Sequence, residues 1–213
     1  MSLYTPAHFA LDDRAAISHL MREHPFATLV TPGTPEPHVS HLPLLHVDDG
    51  SEHGHLIGHF ARANPHWQHA AGVESMAIFH GPHAYVSPSW YVAPERMVPT
   101  WNYVTVHVHG TLEPLPDPAD AEGVLQALVQ RFEGERDKPW QFALAEPQRS
   151  AMIKAISAFR LRIRHVDGKF KLSQNRGNAD RARVITALRA ERYAEADATA
   201  EWMERYAAPG SDG

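Results

Sequence analysis

An arginine and an asparagine stand where a predicted strand gives way to a predicted helix. In the segment GHFARANPHW, residues 58–67, Arg62 and Asn64 come just before Pro65, and proline favours the first turn of a helix. Free backbone N–H groups at a helix start and a guanidinium group both suit a phosphate. The pattern predicts an anion site. A surface arginine in an ion pair, followed by an asparagine that only caps the helix, would give the same residues.

Aromatic side chains crowd the part of the chain between residues 85 and 103, with short polar side chains among them. The aromatic residues are Tyr85, Trp90, Tyr91, Trp101 and Tyr103, and the polar residues are Ser87, Ser89, Thr100 and Asn102. Aromatic faces with hydroxyl and amide groups suit a flat heteroaromatic ligand. They equally suit a barrel corner or a subunit interface, so residue types alone leave these choices open.

A basic segment lies further along the chain. In GKFKLSQNR, residues 168–176, Lys169, Lys171 and Arg176 are expected on a compact polar loop that could contact a phosphate group or nucleic acid. The arginines that precede it alternate with apolar residues, which predicts the solvated face of a strand. These arginines are Arg160, Arg162 and Arg164.

Histidine is unusually frequent, with 16 residues, whereas cysteine is absent. His53, His55 and His59 alternate near one predicted strand, and His107 and His109 alternate on another, which is a spacing that could hold a metal ion. No H-E-x-x-H motif and no cysteine ligand support that choice. Polar histidines on half-exposed strands are the simpler interpretation, so no metal site is predicted.

The elements that must position these residues are mainly strands. Strands are expected at residues 26–31, 39–47, 56–60, 76–79, 104–110 and 156–166. Helices are expected at residues 13–24, from about 64, near 120–133 and from about 178. Strands and helices do not alternate regularly. The pattern therefore favours a mainly β, α+β fold, with an antiparallel sheet or barrel and helices packed outside it, over a doubly wound fold.

Composition narrows the function classes. The balance of 20 basic and 25 acidic side chains gives a formal net charge of −5, which argues against broad electrostatic capture of nucleic acid. The absence of cysteine excludes disulfides and thiolate catalysis. No G-x-G-x-x-G or Walker A motif is present. No secretory leader or membrane-spanning run is visible, so a cytoplasmic protein without membrane contact is expected.

At these same segments the sequence resembles the PaiB-type family of FMN-binding negative transcriptional regulators. The resembling blocks are HPFATLVT (24–31), SHLPLL (40–45), GHFARANPHW (58–67), GPHAYVSPSWY (81–91), VPTWNYVTVHVHG (98–110) and GKFKLSQNR (168–176). The opening MSLYTPAHF is also similar to the family's start. The resemblance implies a split β-barrel of the FMN-binding type, related to pyridoxamine-phosphate oxidase, and a homodimer with FMN at the subunit interface.

The resemblance also implies a set of cofactor ligands. Arg62 is similar to the arginine that contacts the FMN phosphate in the wider superfamily, and VTVHVHG resembles the strand beside which the flavin lies. Lys171 and Gln174 are implied to reach the site from the partner chain. The candidate cofactor-binding residues are Arg62, Ala63, Asn64, His59, Ser87, Ser89, Trp101, Asn102, Lys171 and Gln174.

The predicted function is that of a dimeric FMN-binding protein that acts as a flavin-dependent or indirect regulator. Direct DNA binding is doubtful because the sequence shows no helix-turn-helix and its net charge is negative. An FMN-dependent oxidoreductase acting on a small molecule, a haem- or metal-binding split barrel, and a barrel that has lost its ligand are the alternatives. No catalytic acid or base is identified. Residues 1–175 are expected to form the FMN-binding domain, and 176–213 a helical extension with a disordered tail.

Overall fold

The computed structural model describes residues 3–206. The C-terminal tail that was predicted to be disordered lies outside the described residues. The described strands are β1 Phe26–Thr31, β2 His38–Pro43, β3 Leu45–Val47, β4 His55–Ala61, β5 Glu74–Val86, β6 Thr100–Pro114 and β7 Ile156–Lys171. The described α-helices are α1 Arg14–Glu23, α2 His66–Ala70, α3 Pro118–Glu133, α4 Gln148–Lys154, α5 Asn178–Ala190 and α6 Ala194–Tyr206. No helix within the described range is both long enough and apolar enough to cross a bilayer.

The described strands form a single sheet in the order β2-β1-β5-β6-β7-β4-β3. β1 pairs antiparallel with β2 and with β5, and β4 pairs antiparallel with β3 and with β7. Leu29, for example, lies opposite Ser40 on one side and opposite Ala77 on the other. The predicted antiparallel sheet with packed helices is confirmed.

Three strands are several residues longer than the sequence pattern predicts, and one of them is β6, which was expected at residues 104–110 and runs over Thr100–Pro114. β5 continues past residue 79 to Val86 because its inward side chains stay buried, even though Gly81 and Pro82 are residue types that weaken a strand signal. β7 continues to Lys171, with Phe170 fully buried. The prediction of a loop over residues 168–176 is therefore wrong for residues 168–171.

The structure differs from the sequence prediction in two further elements, the strand predicted at residues 39–47 and helix α4. The strand predicted at residues 39–47 is divided into β2 and β3, because β2 ends at Pro43, which lacks the N–H group that a ladder needs. Helix α4 was not predicted, since its seven residues give too short a stripe to reveal helical periodicity.

The contacts divide the chain into two compact units. The first unit comprises Met1–Leu20, His80–His107 and Asp167–Gly213, and the second comprises Met21–Phe79 and Val108–Val166. Strands β5, β6 and β7 each contribute residues to both. In the first unit Phe170 packs against Trp202 of α6, with ring centroids 5.5 Å apart. In the second unit Phe60 packs against Phe159, with centroids 4.8 Å apart.

Gly110 allows β6 and β7 to approach closely within the second unit. A Cβ atom at this position would collide with the backbone carbonyl of Arg162 and would also lie 2.6 Å from Leu161 Cδ2. A backbone carbonyl in a paired strand has little room to move aside. The glycine that ends the VTVHVHG motif is therefore required by packing.

Candidate functional site

Arg62 occupies the turn that follows β4, in the second unit. Its guanidinium carbon lies 5.2 Å from the ring centroid of Trp67, and Trp67 Nε1 donates a hydrogen bond of 3.1 Å to the Arg62 carbonyl. The Arg62 N–H donates to the carbonyl of Ala155 at 2.7 Å. No carboxylate within residues 3–206 pairs with the guanidinium, which is exposed. These hydrogen bonds fix the backbone of Arg62, while its guanidinium is free to bind an anion.

Asn64 braces this turn. Its Oδ1 accepts a hydrogen bond from His66 N at 3.0 Å, and its Nδ2 donates to Ser40 Oγ at 2.9 Å. Ala63 is exposed between Arg62 and Asn64. Because α2 has only five residues, the helix contributes little charge at its start, and anion binding here would depend on the guanidinium.

A buried histidine that the sequence analysis passed over anchors the same turn. His66 Nδ1 is 2.8 Å from Ser40 Oγ, His66 Nε2 is 2.9 Å from Thr31 Oγ1, and that hydroxyl is 2.7 Å from Ser75 Oγ. Burial lowers the pKa of His66 to about 4, and the nearby imidazoles of His38 and His69 lower it further. The neutral ring therefore links β1, β2 and the segment that carries Arg62.

Sequence signals for this network did exist. Thr31 and Ser40 are polar residues at inward positions of strands whose other inward residues are apolar. Polar groups buried in this way require hydrogen-bond partners. A search for that partner among the nearby histidines would have pointed to His66.

His59 lies on β4, opposite Ala158 of β7 and three residues before Arg62. Its Nδ1 is buried and makes no hydrogen bond to any residue in the described range. Burial lowers the pKa of the ring, so the neutral form is favoured. An orphaned ring nitrogen beside the Arg62 turn fits a ligand that carries hydrogen-bonding groups.

An open, mainly apolar cavity of about 410 Å³ lies in the first unit. It is lined by His80, Gly81, His83, Trp101, Tyr103, Val104 and Thr105. Trp101 is 51% exposed, and its ring centroid lies 6.1 Å from that of Tyr85. The volume falls within the range of about 300–1,000 Å³ that is usual for small-molecule sites. The aromatic walls and the volume fit a flat ring system.

A second cavity in the first unit, of about 210 Å³, is basic and polar. It is lined by Phe9, Tyr91, Thr100, Asn102, Lys171, Ser173, Asn175 and Arg176. Lys171 Nζ donates to Thr100 Oγ1 at 2.6 Å and also to the Trp101 carbonyl. Asn102 Nδ2 donates to Ser173 Oγ at 3.0 Å. We call this the basic cavity.

The alternation of β6 assigns two predicted ligands to different cavities. Trp101 and Tyr103 line the apolar cavity, whereas Thr100 and Asn102 line the basic one. Successive side chains of a strand point to opposite faces of the sheet. Trp101 and Asn102, both candidate cofactor ligands, therefore face opposite ways.

Three other predicted ligands hold their own turns. Ser87 Oγ accepts a hydrogen bond from Ser89 N at 3.3 Å and lies 2.8 Å from Ser89 Oγ, across the short turn Pro88–Trp90. Gln174 Oε1 accepts from Leu172 N at 2.7 Å, while its Nε2 donates to the Phe170 carbonyl. Their side chains are thus engaged locally.

Two of the arginines on β7 are neutralised within the second unit. Arg162 Nε lies 2.9 Å from Glu113 Oε1, and Arg164 pairs with Glu74. Both arginines are exposed and alternate with buried Leu161, as the sequence pattern predicts. Among the residues that the structure describes, no group of three or more acidic or histidine side chains is placed to hold a metal ion.

Comparisons with known sequences point to flavin binding. The model of a family described as "Putative FMN-binding domain" matches residues 3–165. The protease synthase and sporulation protein PAI 2 of Bacillus subtilis (strain 168) is 34% identical over 204 residues, which cover 95% of this chain and 97% of that protein.

Solved structures show the same fold. The FAD and haem binding protein from Mycobacterium smegmatis superposes with a TM-score of 0.59 at 19% identity, over 76% of this chain and 73% of that one. The flavocytochrome Anf3 from Azotobacter vinelandii gives a TM-score of 0.57 at 16% identity, over 76% and 69% of the two chains. At these identities the likeness concerns the fold alone, and it agrees with the predicted split β-barrel.

Proposed function

Because the chain belongs to the FMN-binding family whose model matches residues 3–165, we propose that it binds FMN with the phosphate on Arg62 and acts as a dimeric, flavin-dependent or indirect regulator. The observation that carries the proposal is the exposed Arg62 guanidinium, held over Trp67 and paired with no carboxylate in the described range. A dianionic phosphate is the group that such a fork binds most strongly.

The residues around Arg62 have positioning roles in this proposal. Asn64 and His66 hold the backbone of the turn, so that little conformational entropy is lost when the phosphate binds. Ala63 presents exposed backbone beside the phosphate. His59 offers its orphaned nitrogen to a hydrogen-bonding group of the cofactor, since a buried, unsatisfied polar atom costs about 1–3 kcal/mol.

Within the first unit, the apolar cavity has a size and aromatic walls that suit a flat ring system, and Trp101 stays a prediction as a contact of the flavin ring. Trp101 provides an exposed aromatic face, and the open volume suits a tricyclic ring. Ser87 and Ser89 stay predictions as contacts of the ring or of the ribityl chain. When bound, FMN supplies hydride and single-electron chemistry, while the protein binds and orients it.

A second copy of the chain completes the proposed assembly. The first unit leaves several apolar side chains exposed, including Tyr85 at 39%, Val92 at 62% and Val98 at 68%. Together with Trp101 they form the kind of aromatic and aliphatic surface that subunit interfaces use. Light scattering coupled to size-exclusion chromatography is expected to give twice the chain mass, and a monomer at micromolar concentration would contradict this part of the proposal.

Regulation is proposed to be indirect. The Bacillus subtilis relative is named for protease synthesis and sporulation, which supports a regulatory role. The formal net charge is −5, and Arg162 and Arg164 already pair with glutamates, so a basic DNA-binding face has little support. We expect no gel shift at low salt; a shift that weakens steeply as salt rises would contradict indirect regulation.

The first experiment is a titration of the purified chain with FMN, followed by quenching of flavin fluorescence. Saturable quenching with one FMN per chain is expected. Absence of saturation on protein of verified fold would overturn the proposal. The FMN-dependent oxidoreductase and the haem- or metal-binding barrel stay alternatives, and the absorption spectrum of the same sample distinguishes haem from flavin.

A further inference from the structure

Two cations line the basic cavity, and none of its lining residues in the described part of the chain is acidic. Lys171 and Arg176 line it, and Lys169 is buried two residues before Lys171 on β7, with its Nζ 2.8 Å from the Tyr4 carbonyl. Among the described residues, none of the three cations forms an ion pair with a carboxylate. Like charges that are crowded and desolvated in this way cost free energy unless an anion joins them.

The two lining cations are held in place by neutral groups. Arg176 Cζ lies 5.3 Å from the ring centroid of Tyr91, and no described residue accepts a hydrogen bond from its guanidinium. Lys171 donates to Thr100 and lies 5.8 Å from the Phe9 ring centroid. Burial lowers the pKa of Lys171, with further lowering from the charges of Lys169 and Arg176. The arrangement orients both cations and leaves their charge unneutralised.

Neutral hydrogen-bonding groups complete the wall of the cavity. Asn102 is 1% exposed, and its amide and the hydroxyl of buried Ser173 bond each other. Ser173 has a φ of 65°, a left-handed conformation that is uncommon for a residue other than glycine. Such backbone conformations persist where the surrounding structure over-determines them, and they occur often at ligand sites.

The volume of the basic cavity and the residues that line it distinguish it from the proposed flavin site. Its volume of about 210 Å³ is below the range of about 300–1,000 Å³ of ordinary cofactor and drug sites. Thr100 and Asn102 face it, whereas Trp101 faces the apolar cavity. A small molecule fits this volume, and a whole flavin nucleotide does not.

We propose that the basic cavity is a separate site for a small oxyanion, a phosphate or carboxylate compound, bound by Arg176 and Lys171 and oriented by Asn102 and Ser173. The cations supply charge-assisted hydrogen bonds, and the amide and hydroxyl set the position of the anion. Under this proposal Asn102 and Lys171 serve a ligand other than FMN. The inference does not depend on flavin binding.

Calorimetric titrations with sodium phosphate and with sodium succinate, at matched ionic strength, test the site. Arg176→Ala is expected to weaken binding of the preferred anion by roughly tenfold or more, because a charge-assisted hydrogen bond is lost. Arg176→Lys, which keeps the charge but loses the fork, is expected to recover part of the affinity. The matched control is Arg205→Ala, since Arg205 also lies over an aromatic ring, 5.4 Å from its centroid, but does not line the basic cavity.

Expected results differ for the two arginines. Arg176→Ala should lose the anion and keep its FMN affinity, and Arg205→Ala should keep both. If neither anion binds the wild-type chain, or if both bind Arg176→Ala unchanged, the site is overturned. If Arg176→Ala or Lys171→Met loses FMN affinity, the cavity belongs to the flavin site and the proposal is also overturned. Failure of wild-type FMN binding alone leaves the anion result readable.

Discussion

The guanidinium of Arg62 lies over the indole of Trp67, and the indole N–H donates back to the carbonyl of Arg62 at 3.1 Å. One side chain thus positions both the charge and the backbone of the turn. The arrangement orients a phosphate-binding fork before any ligand arrives. A pre-oriented group loses less entropy on binding, so Trp67 is expected to influence FMN affinity without touching the cofactor.

Trp67→Leu is expected to weaken FMN binding about two- to fivefold, because an exposed cation–π contact contributes about 0.5–1 kcal/mol. Trp67→Phe keeps the aromatic face and is expected to recover most of that loss. Flavin fluorescence titrations of the three proteins provide the comparison. Equal affinities for all three would show that the stacking does not position Arg62.

Trp101 is expected to form part of the flavin-ring site. Trp101→Ala should weaken FMN binding roughly tenfold, because stacking on an aromatic ring and burial of its face are both lost. Trp140→Ala is the matched control, since Trp140 is 49% exposed, close to the 51% of Trp101, but does not line the apolar cavity. If the two variants lower the affinity equally, the ring does not occupy the apolar cavity.

His66 predicts how stability depends on pH. Its folded pKa of about 4 lies below the ordinary value of 6.5, so the unfolded chain takes up the proton first as the pH falls. The free energy of unfolding should therefore decrease as the pH falls from about 6.5 to about 4, by at most about 3 kcal/mol from this group.

Urea unfolding of wild type, His66→Gln and His41→Gln at several pH values tests this expectation. His66→Gln should be less stable at pH 7, because the bonds to Ser40 and Thr31 change, but should lose less stability on acidification. His41 is exposed on β2 and serves as the control. An unchanged pH dependence in His66→Gln would show that another group causes the acid sensitivity.

Gly110→Ala is expected to destabilise the fold by about 1–3 kcal/mol, because the new methyl group meets the backbone carbonyl of Arg162. Gly123→Ala, within α3, should be neutral or stabilising by up to about 1 kcal/mol, since a Cβ there meets nothing within 4 Å and alanine favours a helix. Denaturant unfolding of both variants measures the difference. Equal stability would mean that β6 and β7 are not closely packed at Gly110.

The alternation of side chains made much of the sheet predictable. The alternating valines of β6 and the alternating arginines of β7 identified strands with one buried face, and the structure contains both. The same period of two also implies that Trp101 and Asn102 point in opposite directions. Residue types and closeness in the sequence made both of them candidate cofactor ligands, whereas the period of two separates their side chains.

The remaining parts of the site depend on contacts between distant segments. Lys171 bonds to Thr100, and Asn102 bonds to Ser173, across 71 residues in each case. His66 meets Thr31 across 35 residues. Such pairs depend on strand order and register, which local patterns do not specify. The sequence pattern also ends β7 too early, because Gly168 is a residue type that favours a turn. In the structure the strand continues to Lys171, and Lys169 and Phe170 are buried.

Whether Arg62 binds the phosphate of FMN is tested by comparing the FMN dissociation constants of wild type, Arg62→Ala and Arg176→Ala. Arg62→Ala is expected to weaken FMN binding at least tenfold, since a charge-assisted contact contributes about 1.5–3 kcal/mol. Riboflavin, which lacks the phosphate, should bind wild type and Arg62→Ala equally, and Arg176→Ala should bind FMN as wild type does. An FMN affinity of Arg62→Ala equal to that of wild type would show that Arg62 does not bind the phosphate.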